Sequence, residues 1–307
     1  MKIILLGTAA GGGLPQWNCN CANCREVRHG SSRLVQRTQS SVAISADGVR
    51  WFLLNASPDL RGQMENFPPL HPQKNARRST PIEGVLLTNA DLDHTLGLFL
   101  LREGEKLHVH ATPSVRRTLT RDISIGPVLK TFCGVRWVVP PRRLSPLLCR
   151  DGDPSGLRYQ AIDLKGKPPR FAKAGHGSKS GHCVGYRIID EKTGGCLMFF
   201  PDVAAIDGHT AGLLDGCDAL LFDGTFWSED EMQKAGVGGV PAGKMGHIPI
   251  SGPGGSLKQL AELPSIRHRI YFHLNNTNPI LRKGSPQHAA VRAAGIQVGH
   301  DGMKIVI

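Results

Sequence analysis

Apolar residues along this chain fall into short runs separated by turns rich in glycine and proline, without a sustained helical period. Such runs predict strands over 2–6, 41–45, 50–55, 84–87, 107–110, 158–163, 184–189, 196–200, 219–222, 269–273 and 304–307. Helices are predicted over 113–121, 256–263 and 286–294. The last two space their apolar residues by three and four, and Gly295 follows the third as a stop signal. Strands dominate both halves and helices come at intervals, which suits two sheets packed face to face with helices outside. The segments 68–81 and 165–173 read as exposed loops and not as linkers, since neither divides two self-sufficient patterns. We therefore expect one domain over 1–307, without internal repeats.

Composition narrows the class. With 307 residues and 40% hydrophobic content, the chain can bury a large core. No apolar run approaches the roughly 20 residues that cross a bilayer, so no membrane insertion is expected. The basic-then-apolar start at 1–6 imitates a signal peptide, but its apolar run is short and Gly7 opens a glycine loop. A first core strand and a cytoplasmic protein are the expectation. Of the eight cysteines, three cluster at Cys19, Cys21 and Cys24. The scattered remainder, such as Cys183 and Cys196, fit reduced core residues. Net charge is +12, with basic clusters at 25–37, 74–78, 116–121, 142–143 and 165–173. These read as solvated surface that can also attract an anionic partner. No stretch interleaves basic with aromatic residues as stacking sites do, so nucleic acid is not an expected partner.

The chemistry concentrates where apolar strands end. Asp59 follows 51–54; Asp91, Asp93 and His94 follow 85–87; Asp202 follows 197–200; His273 follows 270–272. A single Asp after a strand is ordinarily a turn former, and a single His ordinarily belongs to surface or core. Several such ends in one sandwich converge along one edge, where they can share a metal. His247, in Gly246-His247-Ile248-Pro249, is expected on a loop near that edge, as an acid/base or substrate contact or as an ordinary loop histidine. His108 and His110 share one strand face and read as structural. Separately, Cys19-Asn20-Cys21-Ala22-Asn23-Cys24 brings three thiols within six residues, which suits a closed tetrahedral zinc site with one distant ligand. An iron–sulfur fragment or a redox pair are the alternatives, and His268 or Asn276 could complete the zinc site.

Asp93-His94 resembles the Asp-His that closes the H-x-H-x-D-H signature of the metallo-β-lactamase superfamily. Asn89 and Asp91 stand where that signature has its first two histidines. The resemblance implies that Asp202 is the aspartate able to bridge two metals and His273 the final histidine. One metal position then lacks two ligands, its third falling to His176 or His182. The other keeps Asp93, His94, Asp202 and His273, with Asp91 close enough to assist. Two imidazoles and carboxylate with open positions suit Fe(II) and oxygen, and Zn(II) or Mn(II) also fit. Loss of one metal weakens a two-metal hydrolysis. On this view Asn89 merely fills the place of a missing ligand, and Asn89→Ala should matter little.

Further stretches narrow the resemblance: the knuckle W-N-C-N-C-x-x-C, then NASPDL, ADLDHTLGL, FFPD, LLFDGTFW, MGHIPI and FHLNNTNPI. Together they resemble the pyrroloquinoline quinone (PQQ) biosynthesis protein B family over nearly the whole chain. That family implies an αββα metallo-β-lactamase fold and a role in making PQQ. The role is iron- and O2-dependent hydroxylation of the tyrosine ring of a Glu–Tyr-derived precursor, or carriage of PQQ or its precursor toward the periplasm. Other pathway proteins are implied as partners. A phosphodiester or RNA hydrolase, as in the related RNase Z and cyclic-phosphodiesterase groups, is the remaining alternative.

Overall fold

Most of the apolar runs lack polar alternation because both of their faces are covered. The computed structural model describes residues 1–173, 180–214 and 216–307. Its first sheet joins β1 (Lys2–Gly7), β2 (Ser41–Ser45), β3 (Trp51–Leu54), β4 (Ile82–Leu86), β5 (Leu107–His110) and β6 (Val135–Val138) with the last strand, β14 (Lys304–Val306). The second joins β7 (Ser145–Leu148), β8 (Pro154–Asp163), β9 (Val184–Asp190), β10 (Cys196–Phe200), β11 (Ala219–Asp223), β12 (His268–Phe272) and β13 (Gln297–Val298). Both are seven-stranded, in the orders β14-β1-β2-β3-β4-β5-β6 and β13-β12-β11-β10-β9-β8-β7.

Each sheet is half antiparallel and half parallel. β14, β1, β2 and β3 pair antiparallel, and β3 through β6 pair parallel. In the second sheet β10 through β13 pair parallel, while β7, β8, β9 and β10 pair antiparallel. Parallel strands need crossovers, so their carboxyl ends all open at one edge, and that edge is where such sheets place ligands.

Three apolar layers hold the sandwich together. Leu5, Phe52, Leu54, Leu86, Tyr186, Phe199 and Phe272 pack between the sheets. Leu6, Leu53, Leu60, Leu98 and Val115 fill the space outside the first sheet. Phe200, Leu220, Leu260 and Val291 do the same outside the second. Neighbouring residues therefore go to opposite layers, Leu5 inward and Leu6 outward, as a strand's period of two requires. Phe199 and Phe272 meet edge to face at 5.6 Å, a contact worth about 1 kcal/mol beyond its burial. The expected αββα architecture is the one observed.

Some elements depart from expectation. β6, β7 and β13 are short, partly exposed strands whose mixed patterns carry no clear period. The expected helix over 113–121 is a Pro113–Arg117 helix that widens into a π-type turn over Thr118–Asp122. Helices Ala22–Arg28 and Ile125–Phe132 were not signalled, the first being polar and the second containing Gly126-Pro127. No helix among the described residues is long and apolar enough to cross a membrane.

Candidate metal centre

Four parallel-strand ends build the site. Beyond β4 the chain runs through Thr88, Asn89 and Asp91 into the short helix Leu92–Thr95, which carries Asp93 and His94. Asp202 follows β10, Asp223 ends β11, and His273 follows β12. Asn55, just past β3, and His273 adopt left-handed φ values of 60° and 58°. Side chains rarely hold that conformation without support, and it is commonest at functional sites. Asn55 is supported by Thr88, whose backbone N–H donates to Asn55 Oδ1 at 2.9 Å while Asn55 Nδ2 donates to Thr88 Oγ1 at 3.0 Å.

Two overlapping groups of donor atoms result. Asp93, His94 and His273 offer ligand atoms within 4.8 Å of one another, and so do Asp202, His247 and His273. His273 Nε2 lies 3.1 Å from Asp93 Oδ2 and 3.9 Å from Asp202 Oδ1. His94 Nε2 lies 3.7 Å from Asp93 Oδ2, and it is buried without a hydrogen-bond partner. A buried polar atom with no partner is costly, and a metal ion would satisfy this one.

A second ring of residues orients these donors. Thr225 Oγ1 donates to Asp223 Oδ1 at 2.7 Å and lies 2.9 Å from His273 Nδ1. With its proton given to Asp223, the hydroxyl accepts from His273 Nδ1–H, and His273 Nε2 then turns a lone pair toward the Asp93 carboxylate. Two acceptors facing each other require a proton or a metal cation between them. Asp223 Oδ2 also accepts from His247 Nδ1 at 2.8 Å and from the Val203 N–H at 2.8 Å. Asp223 and Thr225 were not singled out in the sequence, although Asp223 ends an apolar strand in the same manner as the recognised donors.

The electrostatics of the pocket favour a cation. Burial works to raise the Asp93 carboxyl, yet His94 and His273 together hold it below the usual carboxylate range. Burial works to lower His273, yet Asp202, Asp93 and Asp223 raise it to about 9. His247 is likewise raised against burial, chiefly by Asp223, which is itself held low against burial by His247. Asp91 is pushed up to about 6 by burial and by Asp93 and Asp202.

Not every expected residue joins the groups. The Asp91 carboxylate belongs to neither set of donors; its backbone N–H is tied to Asn89 Oδ1 at 3.0 Å. Asp59 accepts from Gln39 instead, at 2.8 and 3.1 Å. His182 belongs to neither donor group among the described residues and lines a cavity with Lys165, Cys183 and Thr210, and His176 lies outside the described residues. His110 hydrogen-bonds Tyr159 Oη at 2.9 Å inside the sandwich, a structural part.

The cysteine knuckle forms a second, closed cluster. The sulfurs of Cys19, Cys21 and Cys24 lie within 4.8 Å of one another and all three residues are buried. Burial raises the Cys21 thiol to about 11. Asn276 Nδ2 sits 3.2, 3.6 and 3.3 Å from the three sulfurs, at the fourth corner. To ligate a metal the Asn276 amide would turn over and offer Oδ1. His268 does not complete the cluster: it starts β12, at the far end of the strand from this edge, and its Nε2 accepts from Arg267. The glycine loop joins the two clusters. A β-carbon on Gly11 would lie 3.4 Å from Asp93 Oδ2, and the Gln16 N–H donates to Cys24 Sγ at 3.4 Å.

Comparison with known proteins agrees with this architecture. The beta-lactamase superfamily domain matches residues 50–274. A coenzyme PQQ synthesis protein B from Methylococcus capsulatus is 41% identical over 308 residues, covering 100% of both chains. Another from Cupriavidus necator is 42% identical over 307 residues, covering 100% of this chain and 99% of its own. A crystal structure of Zn2+-bound PqqB from Methylobacterium extorquens superposes with a TM-score of 0.90 at 37% identity, covering 100% of each chain. Matched over its full length by these relatives and over residues 50–274 by the superfamily domain, this chain belongs to the coenzyme PQQ synthesis protein B family of the beta-lactamase superfamily.

Proposed function

We propose that this chain works in coenzyme PQQ synthesis as a single-domain, cytoplasmic, metal-dependent oxidoreductase. Its reaction is hydroxylation of the tyrosine ring of a Glu–Tyr-derived precursor. Asp93, His94, Asp202 and His273 hold one Fe(II), for which Zn(II) and Mn(II) are alternative occupants of the same donors. Cys19, Cys21 and Cys24 hold a structural zinc, a reading supported by their three clustered, buried sulfurs, and the Zn2+-bound M. extorquens relative supports zinc binding in general.

One observation carries the choice of chemistry. His94 Nε2 is buried and unpartnered, while Asn89, in the first position of the superfamily signature, accepts from His94 Nδ1 through Oδ1 and donates to Asp202 through Nδ2. An amide hydrogen-bonded in this way at a signature ligand position supports one ion over the pair that two-metal hydrolysis needs. Bound Fe(II) supplies the one-electron chemistry by which O2 reacts with an organic substrate. The balance is that one oxygen atom enters a ring C–H bond to give C–OH. The other leaves as water, with two protons and two electrons from an external reductant.

The chain's own residues do the rest. Asp223 and Thr225 fix the rings of His247 and His273 through Nδ1. His247, its Nδ1 held by Asp223 at 2.8 Å, presents Nε2 for a proton-transfer or substrate contact. The net charge of +12 supports recruitment of an acidic, peptide-derived precursor handed over by other pathway proteins.

The test is iron-loaded protein with a Glu–Tyr dipeptide, O2 and ascorbate, followed by mass spectrometry. Gain of one oxygen atom is the expected result. Absence of that gain, with turnover of a phosphodiester by the same preparation, would make the protein a hydrolase. Absence of both, with tight binding of PQQ, would make it a carrier.

A further inference from the structure

We propose that Asn89 is a positioning residue that fixes the tautomer of His94 and the carboxylate orientation of Asp202. It stands in the place where the superfamily signature has a histidine ligand. The inference rests on the metal reading above.

The argument starts from which way the Asn89 amide faces. Asn89 Oδ1 lies 3.0 Å from the Asp91 backbone N–H, and Nδ2 lies 3.1 Å from Asp202 Oδ2. The first partner can only donate and an ionised carboxylate can only accept. Turning the amide over would set donor against donor and acceptor against acceptor, so its orientation is settled. The same Oδ1 lies 2.9 Å from His94 Nδ1. That nitrogen must therefore carry the proton, and Nε2 must present its lone pair. Nε2 is the buried atom without a hydrogen-bond partner, next to Asp93 and His273.

The opposite end of the amide acts on Asp202. By donating to Oδ2 it occupies one carboxylate oxygen and leaves Oδ1 as the one facing His273 and His247, at 3.9 and 4.0 Å. Both lone pairs of Asn89 Oδ1 are engaged, by Asp91 N–H and His94 Nδ1–H, so Asn89 is not itself a ligand. Neither alanine nor aspartate does all of this from position 89. Alanine offers nothing. Aspartate keeps the acceptor for His94 and sets a second anion against Asp202.

The test uses protein as purified and two variants, Asn89→Ala and Asn89→Asp. The His94 tautomer is read from imidazole nitrogen NMR shifts without added metal. Mn(II) binding is read from loss of the free-ion EPR signal, since the thiolate knuckle favours softer ions. Wild type should hold His94 as Nδ1–H. Asn89→Ala should lose that form and bind Mn(II) about 10- to 100-fold more weakly, the usual cost of removing an outer-shell partner. Asn89→Asp should retain the Nδ1–H form, and this reading stands even where the alanine variant folds poorly. Nε2–H at His94 in wild type or in Asn89→Asp would overturn the inference. So would Mn(II) affinity in folded Asn89→Ala equal to wild type. His94→Ala separates the two readings: unchanged Mn(II) binding there defeats the metal assignment, whereas the wild-type tautomer still decides the role of Asn89.

Discussion

The cysteine knuckle and the carboxylate–histidine centre lie three residues apart at His273 and Asn276, yet they are built in opposite ways. The knuckle draws three like donors from one short segment and buries all of them. The other centre draws unlike donors from separate strand ends, and its histidine donors are each held by a second residue, His94 by Asn89 and His273 by Thr225, as the neighbouring loop residue His247 is by Asp223. A cluster from one loop has little scaffold without its metal, so binding and local folding are one event. A cluster mounted on strand ends inherits its geometry from the sandwich and can release its metal and remain folded. The first design suits structure, the second suits exchange of ligands and chemistry.

The contrast predicts where damage goes. Cys24→Ser should remove the knuckle metal and cost on the order of 4 kcal/mol, lowering the melting temperature by roughly 10 °C. A variant with wild-type zinc content and melting behaviour would make the two clusters alike. His94→Ala should abolish binding at the carboxylate–histidine centre and all turnover. Its structural cost should be smaller, about 1–3 kcal/mol, as seen by comparing denaturant midpoints with metal retention. Cooperative unfolding of the whole chain on this substitution would erase the distinction.

Effects one step further out should be smaller. Asp223→Asn retains an acceptor for Thr225 but turns a donor toward the His247 Nδ1–H and the Val203 N–H. Metal affinity or turnover should fall by about 10- to 100-fold with little loss of fold. Substrate turnover equal to wild type would remove Asp223 from the orienting ring.

The smallest effect is expected between the two regions, at Glu231. Its carboxylate accepts from Thr277 Oγ1 and the Trp227 N–H, and burial raises it to about 7. The folded state therefore favours the protonated form. Its contribution to stability is fully present below the unfolded value near 4.5 and is lost as pH rises through about 7. Glu231→Gln should raise the melting temperature at pH 8 by a few degrees and change little at pH 4. A larger gain at pH 4 than at pH 8 would reverse the sign of this argument.

Much of this design is legible in the chain itself, for identifiable reasons. β10 reads as a buried run because both its faces pack, and the knuckle reads from spacing because its donors are local. Asp202 and His273 share a site with Asp93 only through topology, so resemblance to a known signature was needed to join them. Asn89 reads in the sequence only as a departure from the signature, whereas the structure gives its side chain three partners. Asp223 was missed although its strand ends as the others do, because its partner His247 lies on a separate loop. Asp91, expected close enough to assist the metal, offers no atom to either donor group, and its backbone N–H serves Asn89.

The most direct test of a single rebuilt metal position is anomalous diffraction from iron-reconstituted crystals at the iron and zinc edges. The account predicts one iron peak bounded by Asp93, His94, Asp202 and His273, and one zinc peak among Cys19, Cys21 and Cys24. A second metal peak beside Asn89 and Asp91, or an iron peak remote from His273, would contradict it.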